Sequence, residues 1–491
     1  MNSWADSLVP ARMRRVAVVA PAGALRDTLV RLAAAGCVEL DRPDGGEGER
    51  RGPAARGLAA LGDAAAAAPL LSALPPDPDG WRAARRADLL AGEAQLETYL
   101  EAAVRHGGTA ALAGWCPAGD LSRLGPLLAE AGGAVVPLRA PSGAEPPTLL
   151  YERGTVRRAV VPLVRTYGTV PYADADPSLV AGAAYVVMFG MMFGDAGHGL
   201  LLLAGALLLR SGRPARLAAL RPVWPFVAGA GVASVLAGVA YGEFFGPTGV
   251  LPVLWLDPVD EPLRLLGAAV AFGAVLLAAA YAAGIVNRWR EGGPARALYA
   301  ASGVAGASVF LGLAVLAAGL ARHTTALTAG GSLVALAGLA LAGTGMFAAS
   351  GGGGAGVLQT GVQLFDVVVR IGSNTVSFAR LAAFGLTHAA LGAIVWRGTT
   401  ALAGAGPAAV VAAAVVLVLG NALTFALEAL VAGVQALRLE FYELFSRVFE
   451  TEGRPFRPWH VPTERPARTG AGTGAPTDGS LGPRSGTEVT T

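Results

Sequence analysis

The sequence predicts an α-helical polytopic membrane domain of eight transmembrane helices, the last two long and tilted, with an N-terminal cytoplasmic α/β domain. Three observations carry this expectation. The 491-residue chain is 53% hydrophobic and only 15% charged, and its mean hydropathy is +0.51, which places it among membrane proteins. Long apolar runs fill the chain from about residue 179, whereas the first 165 residues alternate short apolar runs with polar stretches. A single arginine, Arg380, sits near the middle of the apolar run 361–396. Charge at such a position costs roughly 2.5–3.5 kcal/mol on insertion scales and usually persists for function.

The first domain, 1–165, opens with a strand-like run at 15–20, helical spacing of Leu25, Leu29 and Leu32 over 23–35, and a second strand at 38–40. The same strand–helix–strand order recurs at 110–115, 120–131 and 134–138. Residues 42–108 are Ala-rich and polar, broken by Pro75, Pro76 and Pro78, and read as a short helical pair between two small α/β lobes. No apolar h-region with a cleavage site follows the first residues, so this domain is expected in the cytoplasm. Cys37 and Cys116 form no CxxC and have no His-rich partner set, which makes them reduced structural thiols; no metal ligands and no cofactor motif are read from the chain.

The membrane domain, 179–450, divides into apolar runs at 179–194, 198–209, 223–245, 263–286, 298–320, 327–347, 362–396 and 408–445. A perpendicular span needs about 20 residues. Length alone favours merging the short first pair. Arginine placement favours keeping them apart, because with eight spans Arg210, Arg213, Arg216 and Arg221 lie on the same side as Arg288, Arg290 and Arg296, and the acidic loop with Asp257, Asp260 and Glu261 lies outside. Both termini are then cytoplasmic. Gly351–Gly354 reads as a flexible loop, and 464–491, rich in Gly, Thr, Ser and Pro, as a disordered cytoplasmic tail. The net charge of +3 comes from arginines in the first third and between spans, as orientation signals, and does not point to nucleic acid. Lysine is absent, which excludes a lysine-bearing phosphate loop.

The ionisable residues gather in the last two runs. The seventh carries Asp366, Ser373, Asn374, Arg380 and His388; the eighth carries Asn421, Glu428, Gln435, Arg438 and Glu440. On a straight helix Asp366 lies ~21 Å to the cytoplasmic side of Arg380, and His388 ~12 Å to the outer side. Glu428 lies ~15 Å to the outer side of Arg438. The helices run antiparallel, so both arginines can share a depth, with His388 and Glu428 outside them and Asp366 inside. This is the layout of two offset half-channels separated by a positive barrier. An arginine that stays protonated can pair transiently with a carboxylate carried past it on a moving partner. The plainer readings are that Arg380 pairs with an acid of a neighbouring helix, that Arg438 snorkels to the interface beside Glu440–Glu443, and that His388 packs between helices. In the segment 188–199, MFGMMFGDAGHG, Asp195 and His198 are three apart and share a helix face, either as a Gly-rich polar turn or with a role in assembly or the ion path. Glu243, in YGEFFG at 241–246, reads as interfacial.

Several of these segments, in order, resemble the membrane stator subunit of rotary V-type and A-type ATPases, called subunit a in eukaryotes and subunit I in prokaryotes. They are PPT at 146–148 with TYGTVPYADADPS at 166–178, MFGDAGHG at 192–199, YGEFFG at 241–246, SFARLAAFGLTHAAL at 377–391, the segment 427–459, and GWCP at 114–117. The resemblance implies that Arg380 is the essential arginine, Arg438 the second arginine and Glu428 the outer-channel glutamate. Ser373, Asn374, Gln435 and Asn421 are then candidates to line the half-channels. The chain is not catalytic alone. Its implied partners are a proteolipid ring, peripheral-stalk subunits bound by the N-terminal domain, a separate cytoplasmic ATPase head and the lipid bilayer. The Ala/Arg/Gly bias of the composition points to a bacterial cell membrane, and the Arg–His–Glu lining leans to proton rather than sodium transport. The family's Glu before DPT is Asp174 here or lost, and the N-terminal domain is short. The competing expectation is a stand-alone secondary transporter, although no internal repeat of that kind is visible; a scaffold without transport leaves the intramembrane charges unexplained.

Overall fold

The computed structural model describes residues 10–41, 52–62, 67–141, 143–150, 154–213, 215–404, 406–449 and 452–464. The tail expected to be disordered lies, from residue 465, outside the described residues. The chain divides into two compact units, Met1–Met13 with Pro141–Arg457, and Arg14–Ala140 with Pro458–Thr491.

The smaller unit contains β1 (Met13–Pro21), α1 (Leu25–Ala35), β2 (Glu39–Leu40), α2 (Pro53–Ala60), β3 (Leu71–Ser72), α3 (Pro78–Ala83), α4 (Ala87–Ala102), β4 (Val104–His106), β5 (Thr109–Pro117), α5 (Leu121–Ala129) and β6 (Ala134–Pro137). The expected strands and helices form, but not as two lobes. The sheet order is β2-β5-β1-β6, with β4 paired to the first residues of β5 (Thr109–Ala111) and β2 to its later ones (Gly114–Trp115), so the two strand–helix–strand halves interleave. A two-stranded lobe cannot bury a face on its own. One shared sheet lets Leu25, Leu29 and Leu32 of α1 pack with Leu124 and Leu128 of α5 over Val16 and Val18. Cys37 and Cys116 are free and buried in this core. The chain returns to the unit at its C-terminal end, which the sequence did not signal. Trp459 and Val461 enter the core, and β7 (Thr463–Glu464) pairs in parallel with β3. Trp459 packs on Tyr99 at 4.7 Å between ring centroids and donates from Nε1 to Gln95 Oε1 at 3.2 Å.

The larger unit is helical: α6 (Thr155–Tyr167), α7 (Ser178–Met192), α8 (Ala196–Ser211), a 3-10 stretch Ala215–Val223, α9 (Trp224–Tyr241), α10 (Pro262–Tyr299), α11 (Val304–Ala321), α12 (Thr325–Ala349), α13 (Gly353–Ser377), α14 (Ala379–Ala403), α15 (Pro407–Leu439), a π-helical turn Glu440–Phe445 and a last short helix Ser446–Val448. Among the described residues, six helices are long and apolar enough to cross a membrane, α13 and α14 counting as one stretch, and α7 and α8 are shorter apolar helices. At 1.5 Å per residue those two reach only about 22–24 Å, against a hydrocarbon core of about 30 Å. Six candidate spans make the chain a multi-pass membrane protein, and two of the eight expected runs, α7 and α8, are the shorter apolar helices.

Three expectations change. The run 362–396 is not one unbroken helix: α13 and α14 meet at Phe378, where Phe378 N–H donates to Thr375 O and Leu381 N–H to Phe378 O in place of the regular ladder. Of the expected loop glycines, Gly351 and Gly352 lie in a turn while Gly353 and Gly354 begin α13, and the stretch runs Gly353–Ala403, 51 residues. The run 263–286 continues as α10 until Gly292 and Gly293 leave helical geometry. Arg288 on it is not an exposed orientation charge, being 0% exposed. Small residues bring α11 and α12 together: a Cβ on Gly331 would lie 2.5 Å from Leu316 N, and one on Gly338 2.7 Å from Val309 N. Such close backbone approach is how membrane helices pack when the solvent is itself apolar.

Candidate functional site

Arg380 is in the first turn of α14, directly after the discontinuity at Phe378, which is fully buried and anchors that point of the helix. Its side chain is 25% exposed and donates from Nη2 to Glu443 Oε1 at 3.2 Å and from Nε to Ser377 O at 3.1 Å. Glu443 lies in the π-helical turn that follows α15, so the plainer reading of Arg380, a pair with an acid of a neighbouring helix, describes what is seen. With its amide oriented to suit its neighbours, Asn374 donates to Glu443 Oε2 at 3.2 Å and accepts from Arg447 Nη2 at 3.2 Å. Arg447 also sits over the ring of Tyr281, 5.6 Å from its centroid. Arg380, Glu443, Asn374 and Arg447 thus form one connected polar network.

Two cavities open along this helix pair. One, of about 410 Å³, lies on the N-terminal side of Arg380 and is lined by Gln359, Gln363, Asp366 and Arg370 of α13 together with Arg447. Asp366 is more than half exposed and pairs with Arg370 one turn on. The other, of about 250 Å³, lies on the C-terminal side and is lined by Phe384, Thr387 and Leu391 of α14 and Leu427, Glu428 and Val431 of α15. Glu428 accepts from or donates to His388 Nδ1 according to the ring's tautomer, and both are largely buried. The sequence offsets place His388 and Glu428 only on the same side of the two arginines; the direct contact between them is a finding of the structure.

Asp195 caps α8. Its Oδ1 accepts from His198 N–H at 2.8 Å, which satisfies an orphan donor of the first turn. Its Oδ2 accepts from Gly246 N–H at 2.9 Å, tying the helix start to the turn of YGEFFG. His198 lies beneath it, 3.7 Å from Nδ1 to Asp195 Oδ1, and its ring is 5.5 Å from that of His388. Glu243 is not a surface group: it is buried, 3% exposed.

The remaining expected lining residues separate. Ser373 is exposed, Asn421 donates to Leu417 O at 2.9 Å within its own helix, and Gln435 Oε1 is buried with no hydrogen-bond partner among the described residues. Arg438 is exposed and makes no ion pair among the described residues. It continues a stripe of exposed side chains on α15, namely Leu423, Leu427, Leu430 and Val434.

Sequence reasoning missed Glu443, Arg447 and Arg370 as partners, and it missed a second buried cluster. Arg288 lies 2.8 Å from Glu291 and 4.0 Å from Asp174, while Arg157 holds Asp176 at 2.9 Å. Asn287 Oδ1 accepts from Ala175 N–H at 3.1 Å. The motif ADADPS is thereby pinned to α10. Burial first, and then the neighbouring Glu291, push Asp174 up to about 7 against the pull of Arg288. A usable signal was present for Glu443 and Arg447: with Glu440 they stand at i, i+3 and i+7, one helix face.

Residues 99–221 match the V-type ATPase 116kDa subunit family. The chain is similar to that family over this segment. It is 26% identical over 399 residues to the A-type ATP synthase subunit I of Thermococcus kodakarensis, covering 76% of this chain and 57% of that protein. It is 30% identical over 361 residues to the subunit I of Halobacterium salinarum, covering 59% and 48%. It is 33% identical over 155 residues to the human V-type proton ATPase 116 kDa subunit a 3, covering 29% and 19%. The chain spans about half the length of the archaeal relatives it matches. These relatives are subunits of ATPases and ATP synthases, and this chain resembles a membrane subunit of such a complex.

Proposed function

We propose that this chain is the stator subunit of a rotary V/A-type ATPase, which supplies two ion half-channels and couples proton translocation to rotation of a proteolipid ring. One observation carries the reading: Arg380, largely withdrawn from solvent, stands between a cavity bearing Asp366 on one side along its helix and a cavity bearing Glu428 on the other. A rotor carboxylate arriving in lipid cannot stay ionised unpaired. Arg380, released from Glu443, would hold it between losing its proton to one half-channel and taking one from the other. A permanently charged guanidinium at that point also opposes direct proton leakage. Glu443 is the resting counter-ion in this scheme. His388 and Glu428 exchange protons in the outer half-channel, and Asp366 with Asn374 serves the inner one. The exposed stripe of α15 that ends at Arg438 would face the ring. The α/β unit would bind peripheral stalks, the head would be a separate cytoplasmic ATPase, and both termini would be cytoplasmic in a bacterial cell membrane.

The test is ATP-driven acidification of inverted vesicles that carry the whole complex with wild-type chain or Arg380→Ala. Co-purification of head and proteolipid controls for assembly. An assembled variant without acidification upholds the reading. An assembled variant that pumps normally makes Arg380 structural and the mechanism wrong. Wild type with no ATP-driven gradient and no ring partner favours a secondary transporter instead.

A further inference from the structure

We propose that Asp195, His198 and His388 form a binding site for a divalent transition-metal ion, with zinc the best chemical fit, and that Glu428 supports the site from behind His388. The donor atoms of Asp195, His198 and His388 all lie within 4.8 Å of one another, and the three residues are 1%, 1% and 4% exposed. Neither ring nitrogen of His198 has a hydrogen-bond partner among the described residues. A buried imidazole with an unpaired N–H is uncommon in native proteins. Here the ring is also held in place, 5.6 Å from Phe193, 5.3 Å from Phe245 and 5.7 Å from Phe425 between centroids. The His198 ring is therefore packed on aromatic side chains before any ion arrives.

The other two ligands are equally prepared. Backbone N–H groups of His198 and Gly246 fix both oxygens of Asp195 and leave each with a free lone pair. Glu428 engages His388 at Nδ1, which leaves Nε2 as the free nitrogen available to a metal. A carboxylate behind a ligating histidine sets its tautomer and raises its basicity. Two imidazoles and one carboxylate suit zinc, with the fourth tetrahedral position open. They do not suit calcium or magnesium, which take oxygen ligands. One carboxylate in the site and a second behind it balance a doubly charged ion in a site that excludes water. Tetrahedral bonds of about 2.0–2.1 Å place donors about 3.3 Å apart, so the cluster must draw together by up to about 1.5 Å on binding, a rotation of side chains. Occupancy would hold His388 and Glu428 in one state and so close the outer half-channel. That consequence rests on the proposed ion path; the binding does not.

The test is a titration of the purified full chain, stripped with chelator, with cobalt(II) alone. Wild type is expected to develop the visible absorption of tetrahedral cobalt at about one equivalent and to lose it to zinc but not to magnesium. His198→Gln is expected to abolish the band. The exposed-site control His106→Gln/His323→Gln is expected to keep it, and Glu428→Gln to weaken affinity roughly 10–100-fold. Absence of a tetrahedral band in wild type, or a full band in folded His198→Gln, overturns the proposal. Should His198→Gln fail to fold, the wild-type titration and the Glu428→Gln affinity decide it. If the site binds zinc and acidification proceeds undisturbed at saturation, the metal site stands and the proposed ion path fails.

Discussion

Asp195 provides the sharpest check on the packing of the larger unit, because one carboxylate 1% exposed carries two backbone hydrogen bonds from different segments. Replacing it with alanine removes the cap of α8 and releases Gly246 N–H. Hydrogen bonds to a charged group contribute about 1.5–3 kcal/mol each, so losing both costs about 3–6 kcal/mol before relaxation. Asp195→Asn retains one carbonyl acceptor and puts an N–H₂ opposite one of the two donors, so about half of that loss is expected. The assay is amide hydrogen exchange of chelator-treated protein, read at Gly246 and at His198. With 1.4 kcal/mol per tenfold, Gly246 protection in Asp195→Ala should fall roughly ten- to hundredfold relative to wild type, with a lower thermal midpoint. An unchanged Gly246 rate in the alanine variant would refute the tie between α8 and the YGEFFG turn. Loss of protection throughout α9 and α10 at equal size would instead mean that Asp195 acts on global stability rather than on this contact.

Three further outcomes are expected. Asp174 has its carboxyl raised from 3.8 to about 7, so between those values the folded chain keeps a proton that the unfolded chain loses. Its contribution to stability therefore falls as pH rises through that window and levels off above it, and thermal midpoints from pH 5 to 8 should decline less in Asp174→Asn than in wild type; equal slopes would remove Asp174 as the cause. Gly331→Ala forces a Cβ against Leu316 N and should cost about 1–3 kcal/mol. The adjacent Gly330→Ala meets nothing within 4 Å and should gain up to about 1 kcal/mol from helix propensity. If the two variants melt alike, the close approach of α11 and α12 is not as described. Trp459→Ala, at a site 8% exposed, should cost about 3–5 kcal/mol and speed proteolysis within residues 14–140, whereas an unchanged cleavage rate would detach the C-terminal segment from that core.

Elements with a strong local period were legible. Leu25, Leu29 and Leu32 stake out α1 by spacing alone, and the strand at 15–20 extends by a few residues into β1. The long apolar runs appear as helices because a 20-residue hydrophobic stretch leaves the backbone no other way to satisfy its hydrogen bonds in lipid. His388 and Glu428 were expected on the same side of the arginines from their offsets, and they meet. The break at Phe378 was not legible. No Pro or Gly marks it, and the buried Phe378 side chain occupies the groove at Gly273 of α10, where a Cβ would sit 2.1 Å from its ring.

The sequence by itself determined which segments are apolar enough for a membrane, where intramembrane charge falls, and which ordered motifs tie the chain to its relatives, because these depend on residue type and spacing along one dimension. Tertiary structure decided the partners. It made Glu443 the counter-ion of Arg380 and left Arg438 exposed. It turned Arg288 from a loop charge into the fully buried partner of Asp174 and Glu291, and it set His198 beside His388 although 190 residues separate them. Pairing of charges between helices depends on helix rotation and depth, and those are fixed by side-chain packing among elements distant in sequence, which no local period records.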